Sequence, residues 1–329
     1  MITLSHGAGG EQTRELIETL FMPRLGSHFL SRGEDAAVID PMHLAISTDG
    51  FTVSPLFFAG GDIGKLSVVG SCNDVAMMGA KPRYLSAGFI IEEGFALSDL
   101  ERIVESMAEE LKAIGVALIS ADTKVVPKKS ADGLFITTTA LGQMQTQPLS
   151  PANLYDGAVL IASGFVGDHG TTIFTAREQI ALKSELQSDC AHLWPLVEAL
   201  LLAECRPIAL RDATRGGLAA VANEWAGTSG LCLTLEQAKI PIRREVSGAC
   251  ELLGFDPLTL ANEGMMIAAF APNEAAKALQ ILRNHPTGAN AAIIGQVSGK
   301  SPGKVILKTP HGTARFLEMP SGELLPRIC

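Results

Sequence analysis

Apolar positions along this chain fall into short blocks that read alternately as strands and helices. Leu44-Ala-Ile-Ser-Thr48, Tyr84 to Ile91, Val116 to Ser120 and Leu134 to Ala140 are apolar runs of strand length. Between the second and third, Leu100, Ile103, Val104, Met107, Leu111 and Ile114 recur at helical spacing and form one stripe on a helix from Ser98 to Ile114. Ser98 and Glu101 read as a capping box at its start, and the stripe needs no role beyond facing a core. Asp62 to Met78 predicts another helix, capped by Asp62. Further on, Ala158-Val-Leu-Ile-Ala162, Met265 to Ala269 and Ile293 to Val297 predict strands, and Gly216 to Thr228 and Asn273 to Asn284 predict helices. The character changes near residue 150. Gln145 to Asp156 carries Pro148, Ser150, Pro151 and Asn153 and reads as a linker between a unit at 1–150 and one at 151–308. Residues 309–329 form a tail interrupted by Pro320, Ser321, Gly322 and Pro326, so it is expected to be extended and mobile. Free from Lys308 onward, it would span up to ~70 Å at full extension.

Composition narrows the classes. A chain of 329 residues, 47% hydrophobic, has ample material for two cores. Its net charge of −9 argues against nucleic acid or an anionic membrane as partner, because an acidic surface gains nothing by counterion release. No run approaches 18 apolar residues, and the amino-terminal stretch Met-Ile-Thr-Leu-Ser-His-Gly lacks a basic region followed by an apolar one, so the cytoplasm is the expected compartment. Cys72, Cys190, Cys205, Cys232 and Cys250 are widely spaced with no Cys-x-x-Cys, which predicts buried, reduced thiols rather than a compact zinc site. Cys329 differs, because a thiol on a mobile tail can be carried into and out of an active site.

The candidate chemistry lies in carboxylates beside apolar strands. Asp49 follows Leu44 to Thr48, Asp122 follows Val116 to Ala121, and Asp35 precedes Ala36-Ala-Val-Ile. With Asp74, such a set could hold Mg²⁺, a hard cation that prefers oxygen ligands and is often shared with nucleotide phosphates. Glycine-rich segments could supply backbone amides to those phosphates. His6-Gly-Ala-Gly-Gly10 would admit an anion closely. Gly60-Gly-Asp-Ile-Gly-Lys-Leu-Ser67 fails the P-loop test, since Ala59 and Leu66 stand where Gly and Ser or Thr are required, and it reads instead as the opening of the Asp62 helix with Lys65 facing solvent or phosphate. Arg211-Asp-Ala-Thr-Arg-Gly-Gly217 places two guanidinium groups and a carboxylate just before a helix, suited to orienting phosphate oxygens. Asn262-Glu263 precedes an apolar strand, where a desolvated glutamate could accept a proton. Gly167-Asp-His-Gly170 reads as either a functional turn or a structural one.

Taken in order, His6-Gly-Ala-Gly-Gly, Ser47-Thr-Asp-Gly, Gly60-Gly-Asp-Ile-Gly-Lys-Leu, Asn73-Asp-Val-Ala, Asp122-Thr-Lys-Val-Val, Gly167-Asp-His-Gly, Arg211-Asp-Ala-Thr-Arg-Gly-Gly, Ala261-Asn-Glu-Gly and Pro326-Arg-Ile-Cys resemble the HypE family of hydrogenase maturation factors. The aspartate motifs are shared across the wider PurM-like superfamily, whereas the Pro-Arg-Ile-Cys end is particular to HypE. Ala121 replaces a usual Gly, and Met265-Met266 replace a more polar continuation. The resemblance implies an α+β, two-domain PurM-like architecture with an extended C-terminal tail, a homodimer paired through the first domain, and no membrane or nucleic-acid partner. It implies an ATP-dependent carbamoyl dehydratase. A HypF carbamoyltransferase would load a carboxamide on Cys329, dehydration would give a thiocyanate, and the cyanide would pass to a HypC and HypD complex for nickel-iron hydrogenase. The roles implied are Cys329, Glu263 and Lys124 in catalysis and Asp35, Asp49, Asp74 and Asp122 on magnesium. Asp62, Lys65, Asn73, Arg211, Asp212 and Asn262 would join the four aspartates on the nucleotide. A selenophosphate synthetase or thiamine-phosphate kinase would share the aspartates, though the first needs a reactive residue that His6 to Gly10 lacks, and a non-catalytic scaffold with a metal-binding tail is the alternative of another class.

Overall fold

In the computed structural model, residues 3–7, 10–25, 35–39, 42–180, 185–322 and 327–329 are described. The His6 to Gly10 loop lies partly outside them, at Ala8 and Gly9, as does Pro326 of the tail. The chain opens with short helices α1 (Glu11–Leu16) and α2 (Met22–Leu25). Strands β1 (Ala37–Ile39) and β2 (Leu44–Phe51) follow, then a small hairpin of β3 (Phe57–Phe58) and β4 (Gly61–Asp62). After it come α3 (Ile63–Met77), β5 (Ala80–Glu92), α4 (Leu97–Ile114), β6 (Ala117–Val126) and β7 (Leu134–Met144). These strands form a sheet of order β1-β2-β7-β5-β6. All its pairs are antiparallel except β5 with β6, the pair bridged by α4 as a parallel pair requires.

The second half contributes β8 (Val159–Ala162), α5 (Asp168–Arg177), α6 (Trp194–Leu202), β9 (Ala209–Asp212), α7 (Gly217–Ser229), β10 (Cys232–Glu236) and α8 (Arg244–Leu253). It continues with β11 (Met266–Phe270), α9 (Ala275–Arg283), β12 (Ala292–Ser298), β13 (Val305–Lys308) and β14 (Ala314–Phe316). The sheet order is β14-β13-β10-β12-β8-β11-β9. Helix α3 joins the halves, packing on β2, β5 and β7 on one side and on β9 and α6 on the other. That explains its sequence: 13 of its residues are buried and no face is left for water.

The predicted strands and helices are all present, with different ends. Asp62 caps α3 as expected, its carboxylate accepting from the Lys65 amide at 3.0 Å. The Ser98 capping box does not form: the N-cap of α4 lies two residues earlier, at Ala96, with no side-chain cap. Two aspartates expected at strand ends lie inside strands. Asp49 sits within β2 opposite Thr138, and Asp122 within β6 opposite Gly88.

The tail departs most from expectation. It is not free after Lys308, because Ala314 to Phe316 pair with β13, and the Pro320 carbonyl accepts from the Glu11 amide at 3.1 Å. Residues 327–329 lie along residues 52–54 like an added strand. Thr52 N donates to the Cys329 main-chain oxygen at 2.9 Å and Ser54 N to the Arg327 carbonyl at 3.2 Å. Arg177 donates to the Arg327 carbonyl at 2.6 Å, and Arg327 pairs with Asp132. Ile328 is 5% exposed and belongs to the first core. A buried apolar side chain with satisfied backbone groups on either side fixes a segment that composition alone marks as loose.

Candidate functional site

The docked tail ends in a cavity of ≈ 240 Å³ between the two halves. Its walls come from separate elements: Asp35 just before β1, Asp49 on β2, Asp74 on α3, Arg211 and Asp212 on β9, Arg215 in the turn before α7, and Glu263 in the loop before β11. Five carboxylates therefore face two guanidinium groups and the Cys329 thiol. Asp35 is held by Arg211 Nε at 2.6 Å, and Arg211 also reaches Glu224 at 3.1 Å. Ser47 donates its hydroxyl to Asp74 Oδ2 at 2.6 Å.

Carboxylate oxygens of Asp35, Asp74 and Asp212 lie within 4.8 Å of one another. Like charges so close, away from water, favour the protonated form. Burial first, then the neighbouring carboxylates, raise the proton affinity of Asp35 and Asp74 well above the carboxylate range, although Arg211 pulls Asp35 the other way. Burial also pushes Asp212 up to about 7, with Arg211 opposing and Asp49 adding to the rise. Three oxygen donors with no sulfur or imidazole among them, frustrated by one another's charge, fit a hard divalent cation such as Mg²⁺. They would repel bare nucleotide phosphates, so a polyphosphate can share this cavity only with cations between.

Cys329 and Glu263 face the same space. Burial pushes the Cys329 thiol up to about 12; Arg215 opposes the rise, while Glu263, Asp49 and Asp212 add to it. The docked thiol is thus neutral at neutral pH. Glu263 is 3% exposed, and its Oε1 has no hydrogen-bond partner among the described residues. Burial, then Asp212 and Asp189, raise its proton affinity well above the usual range, against the pull of Arg215. Its backbone is fixed: the Glu263 and Gly264 amides donate to the two oxygens of Asp189 at 3.0 and 3.1 Å. A buried carboxylate with one unpartnered oxygen, on a rigid loop and lining the same cavity as Cys329, is suited to take a proton there.

Of the expected metal set, Asp35, Asp49 and Asp74 share the cavity, and the three closest oxygens include Asp212 rather than Asp49 or Asp122. Asp122 and Lys124 do not line it. They form an exposed pair at 2.6 Å on edge strand β6, and the Lys124 ammonium and the Thr123 amide hold Asp122 below the usual carboxylate range. Four residues expected on the nucleotide do other work in this chain. Asp62 caps α3, and Lys65 pairs with Glu110 at 3.4 Å. Asn73 donates to the Ala191 carbonyl and accepts from the Leu193 amide. Asn262 accepts from the Gly167 amide at 2.7 Å and donates to the Ala213 carbonyl. The ambiguous His169 is buried and meets the tail, with Nε2 2.8 Å from the Ile328 carbonyl. Thr52, Ser188 and Asp189 carried no sequence signal, since none belongs to a motif or a periodic run.

Comparison with known proteins places this geometry. The sequence models for AIR synthase related protein match in two parts, the N-terminal domain over residues 33–144 and the C-terminal domain over residues 156–308. The whole chain aligns over 346 residues, at 45% identity, with 99% of the carbamoyl dehydratase HypE of Escherichia coli strain K12. Among solved structures it is similar to one of a HypE–HypF complex, with a TM-score of 0.89 and 42% identity over 93% of this chain and 99% of that one. It is also similar to the hydrogenase maturation protein HypE in complex with ATP, with a TM-score of 0.85 and 42% identity over 100% of both chains. The mixed helix and sheet halves are the PurM-like fold expected. Among the described residues, no helix is long and apolar enough to cross a membrane.

Proposed function

This chain belongs to the HypE family of carbamoyl dehydratases, and on that premise we propose that it dehydrates a carboxamide carried on Cys329 to a thiocyanate, using ATP and magnesium. The observation that carries this reading is the seating of Cys329 in a cavity that also presents Glu263 and the Asp35, Asp74 and Asp212 cluster. Overall, an S–C(=O)NH₂ group loses the elements of one water to become S–C≡N. Magnesium ATP, when bound, supplies a phosphoryl group that turns the poorly leaving amide oxygen into a leaving phosphate.

The chain's own residues supply the rest. Asp35, Asp74 and Asp212 would hold the cation, with Asp49 beside them. Arg211 is kept charged by Asp35, Glu224 and Asp212 although burial works against it. With Arg215 it offers positive charge to oxygens near the thiol. Glu263 takes the amide protons, and its raised proton affinity makes it a stronger base than an exposed glutamate. The β-strand-like docking of 327–329 holds the reacting group still, which removes much of the entropic part of the barrier.

Lys124 and Asp122 enter this reading only across a contact between two chains. From Ala117 to Val125 every residue of β6 is exposed, Leu118, Ile119 and Val125 among them, and no described strand covers the outer edge of β6. An apolar edge strand of this kind favours a second copy, the homodimer expected for the family. The carbamoyl donor in this reading is a HypF carbamoyltransferase, as in the HypE–HypF complex, and the cyanide acceptor is an iron centre on HypC and HypD. The test is the intact mass of the tail peptide after incubation with HypF, carbamoyl phosphate and magnesium ATP. A carbamoylated form that loses about one water is expected, and Cys329→Ser should give neither form. A tail that stays carboxamide in the presence of ATP would defeat the reading.

A further inference from the structure

The residues Ser188 to Ala191 have no regular secondary structure, yet they lie between the two groups on which the dehydration depends. On one side, Ser188 Oγ is 2.7 Å from His169 Nδ1, and His169 Nε2 is 2.8 Å from the Ile328 carbonyl. His169 is wholly buried, and burial lowers its imidazole to about 4, so at neutral pH the ring carries one N–H. A carbonyl can only accept. The proton is therefore on Nε2, and Nδ1 accepts from the Ser188 hydroxyl, whose oxygen in turn accepts from the Cys190 amide at 3.1 Å. On the other side, Asp189 receives the amides of both Glu263 and Gly264.

The turn is gripped by both halves. The Ser188 amide donates to the Ala59 carbonyl at 2.9 Å. Gly60, at φ +92°, comes so close that a β-carbon there would meet the Ser188 carbonyl at 2.8 Å. A β-carbon on Gly264 would fall on the Asp189 carbonyl. Asn73 ties the far end, donating to the carbonyls of Ala191 and Glu263 at 3.1 and 3.3 Å. Of the other anchors of the tail, Thr52, Ser54 and Asp132 lie between the strands of the first sheet and Arg177 ends α5, whereas Glu263 sits beside the second sheet. A relative shift of the two would change the distance between the reacting groups unless one element held both.

We propose that Ser188 and Asp189 are positioning residues for the dehydration: Ser188, through His169, seats the tail residue next to Cys329, while Asp189 seats Glu263, so that one turn sets the spacing of sulfur and base. This rests on the reading in which Cys329 carries the reacting group and Glu263 takes its protons. Displacements near 1 Å at such a pair typically cost on the order of 10²-fold in rate.

The experiment uses the full-length protein with two readouts, one of which needs no catalysis. Cys329 reacts with iodoacetamide only as a thiolate, so its alkylation rate, followed by peptide mass, reports how often the tail is undocked. His169→Leu, which removes the donor to Ile328, should speed alkylation of Cys329 by about tenfold, the equivalent of one buried hydrogen bond, and leave the five buried cysteines unmodified. His169→Gln keeps an N–H on the same side and should stay within about twofold of the wild type. Asp189→Asn loses one amide acceptor and should leave alkylation unchanged while slowing conversion of the carboxamide tail about tenfold or more at saturating ATP, with the KM for ATP within about twofold. A His169→Leu protein alkylated at the wild-type rate, or an Asp189→Asn protein with wild-type conversion, overturns the proposal. If the buried cysteines of His169→Leu react, showing that it is unfolded, Ser188→Ala replaces it; alkylation about threefold faster supports the proposal and an unchanged rate overturns it. Should the wild type make no thiocyanate at all, the dehydration reading fails, and with it the role of Asp189, whereas the alkylation rates still decide how the tail is seated.

Discussion

A cluster of three aspartates and a lone one on β6 show what a carboxylate becomes in different surroundings. Around Cys329, Asp35, Asp74 and Asp212 are crowded and shielded from water, and burial makes each reluctant to ionise. On β6, Asp122 lies in solvent with Lys124 against it and is held more acidic than usual. The residue type and the neighbouring apolar strand are alike, but only the buried group relieves its crowding by holding protons. A cation would relieve the first group and gain little at the second. On the proposed function, selectivity for a metal nucleotide would reside in the crowding of these carboxylates rather than in the number of aspartates.

The sharpest probe of the buried side is Glu263→Gln, which keeps shape and hydrogen-bonding capacity but cannot take a proton. Conversion of the carboxamide tail should fall by about 10²–10⁴ while ATP binding persists, as single-turnover mass spectrometry and calorimetry would show. Next is the pH dependence of stability without metal. Asp212 titrates at about 7 in the folded chain against 3.8 as reference, so between those values the folded state binds more protons than the unfolded one, and stability falls as pH rises. A loss of ~2–4 kcal/mol between about pH 4 and 7 is expected in denaturant titrations, and magnesium should recover it. Asp74→Asn removes one of the repelling charges. It should weaken magnesium-dependent ATP binding about tenfold, leave binding without magnesium unchanged, and raise the melting temperature of the metal-free protein. On the exposed side, light scattering is expected to show a dimer for the wild type and a monomer for Ile119→Glu, with no loss of melting temperature in the variant. The smallest effect belongs to Asp122→Asn, for which no change in melting temperature is expected. A clear loss there would erase the contrast between the two sites.

The sequence made the strands, α3 and the Asp35, Asp49 and Asp74 side of the cavity legible, because each depends on a local signal: an apolar run, a cap, or an acid beside a strand. Where it misled, the cause was nonlocal. The Ser98 and Glu101 box has the right letters, but the turn leaving β5 starts α4 at Leu97, with Ala96 at the cap. Asp122 has the same sequence neighbours yet lies outside the cavity of its own chain, since its position at the edge of the sheet follows from topology rather than spacing. The tail looked loose because proline and glycine predict only the absence of helix, whereas its docking depends on Thr52, His169 and Arg177, the last 150 residues from its partner Arg327. Ser188 and Asp189 were illegible for the same reason: their meaning lies in contacts with Glu263, 74 residues away from Asp189, and with a histidine that reads equally well as structural.

The high proton affinity of the docked Cys329 also bears on oxidation. Thiolates are the nucleophiles that attack peroxides and disulfides, and a thiol pushed up to about 12 presents on the order of a thousandfold less thiolate at neutral pH than a free cysteine titrating near 8.5. The other five thiols are buried. While the tail is seated, none of the six offers an exposed thiolate for conversion to a sulfenic acid. Undocking would make the sulfur chemically available and open to oxidative damage at the same time, so the fraction of time spent docked sets how long the carrier stays usable in an oxidising environment.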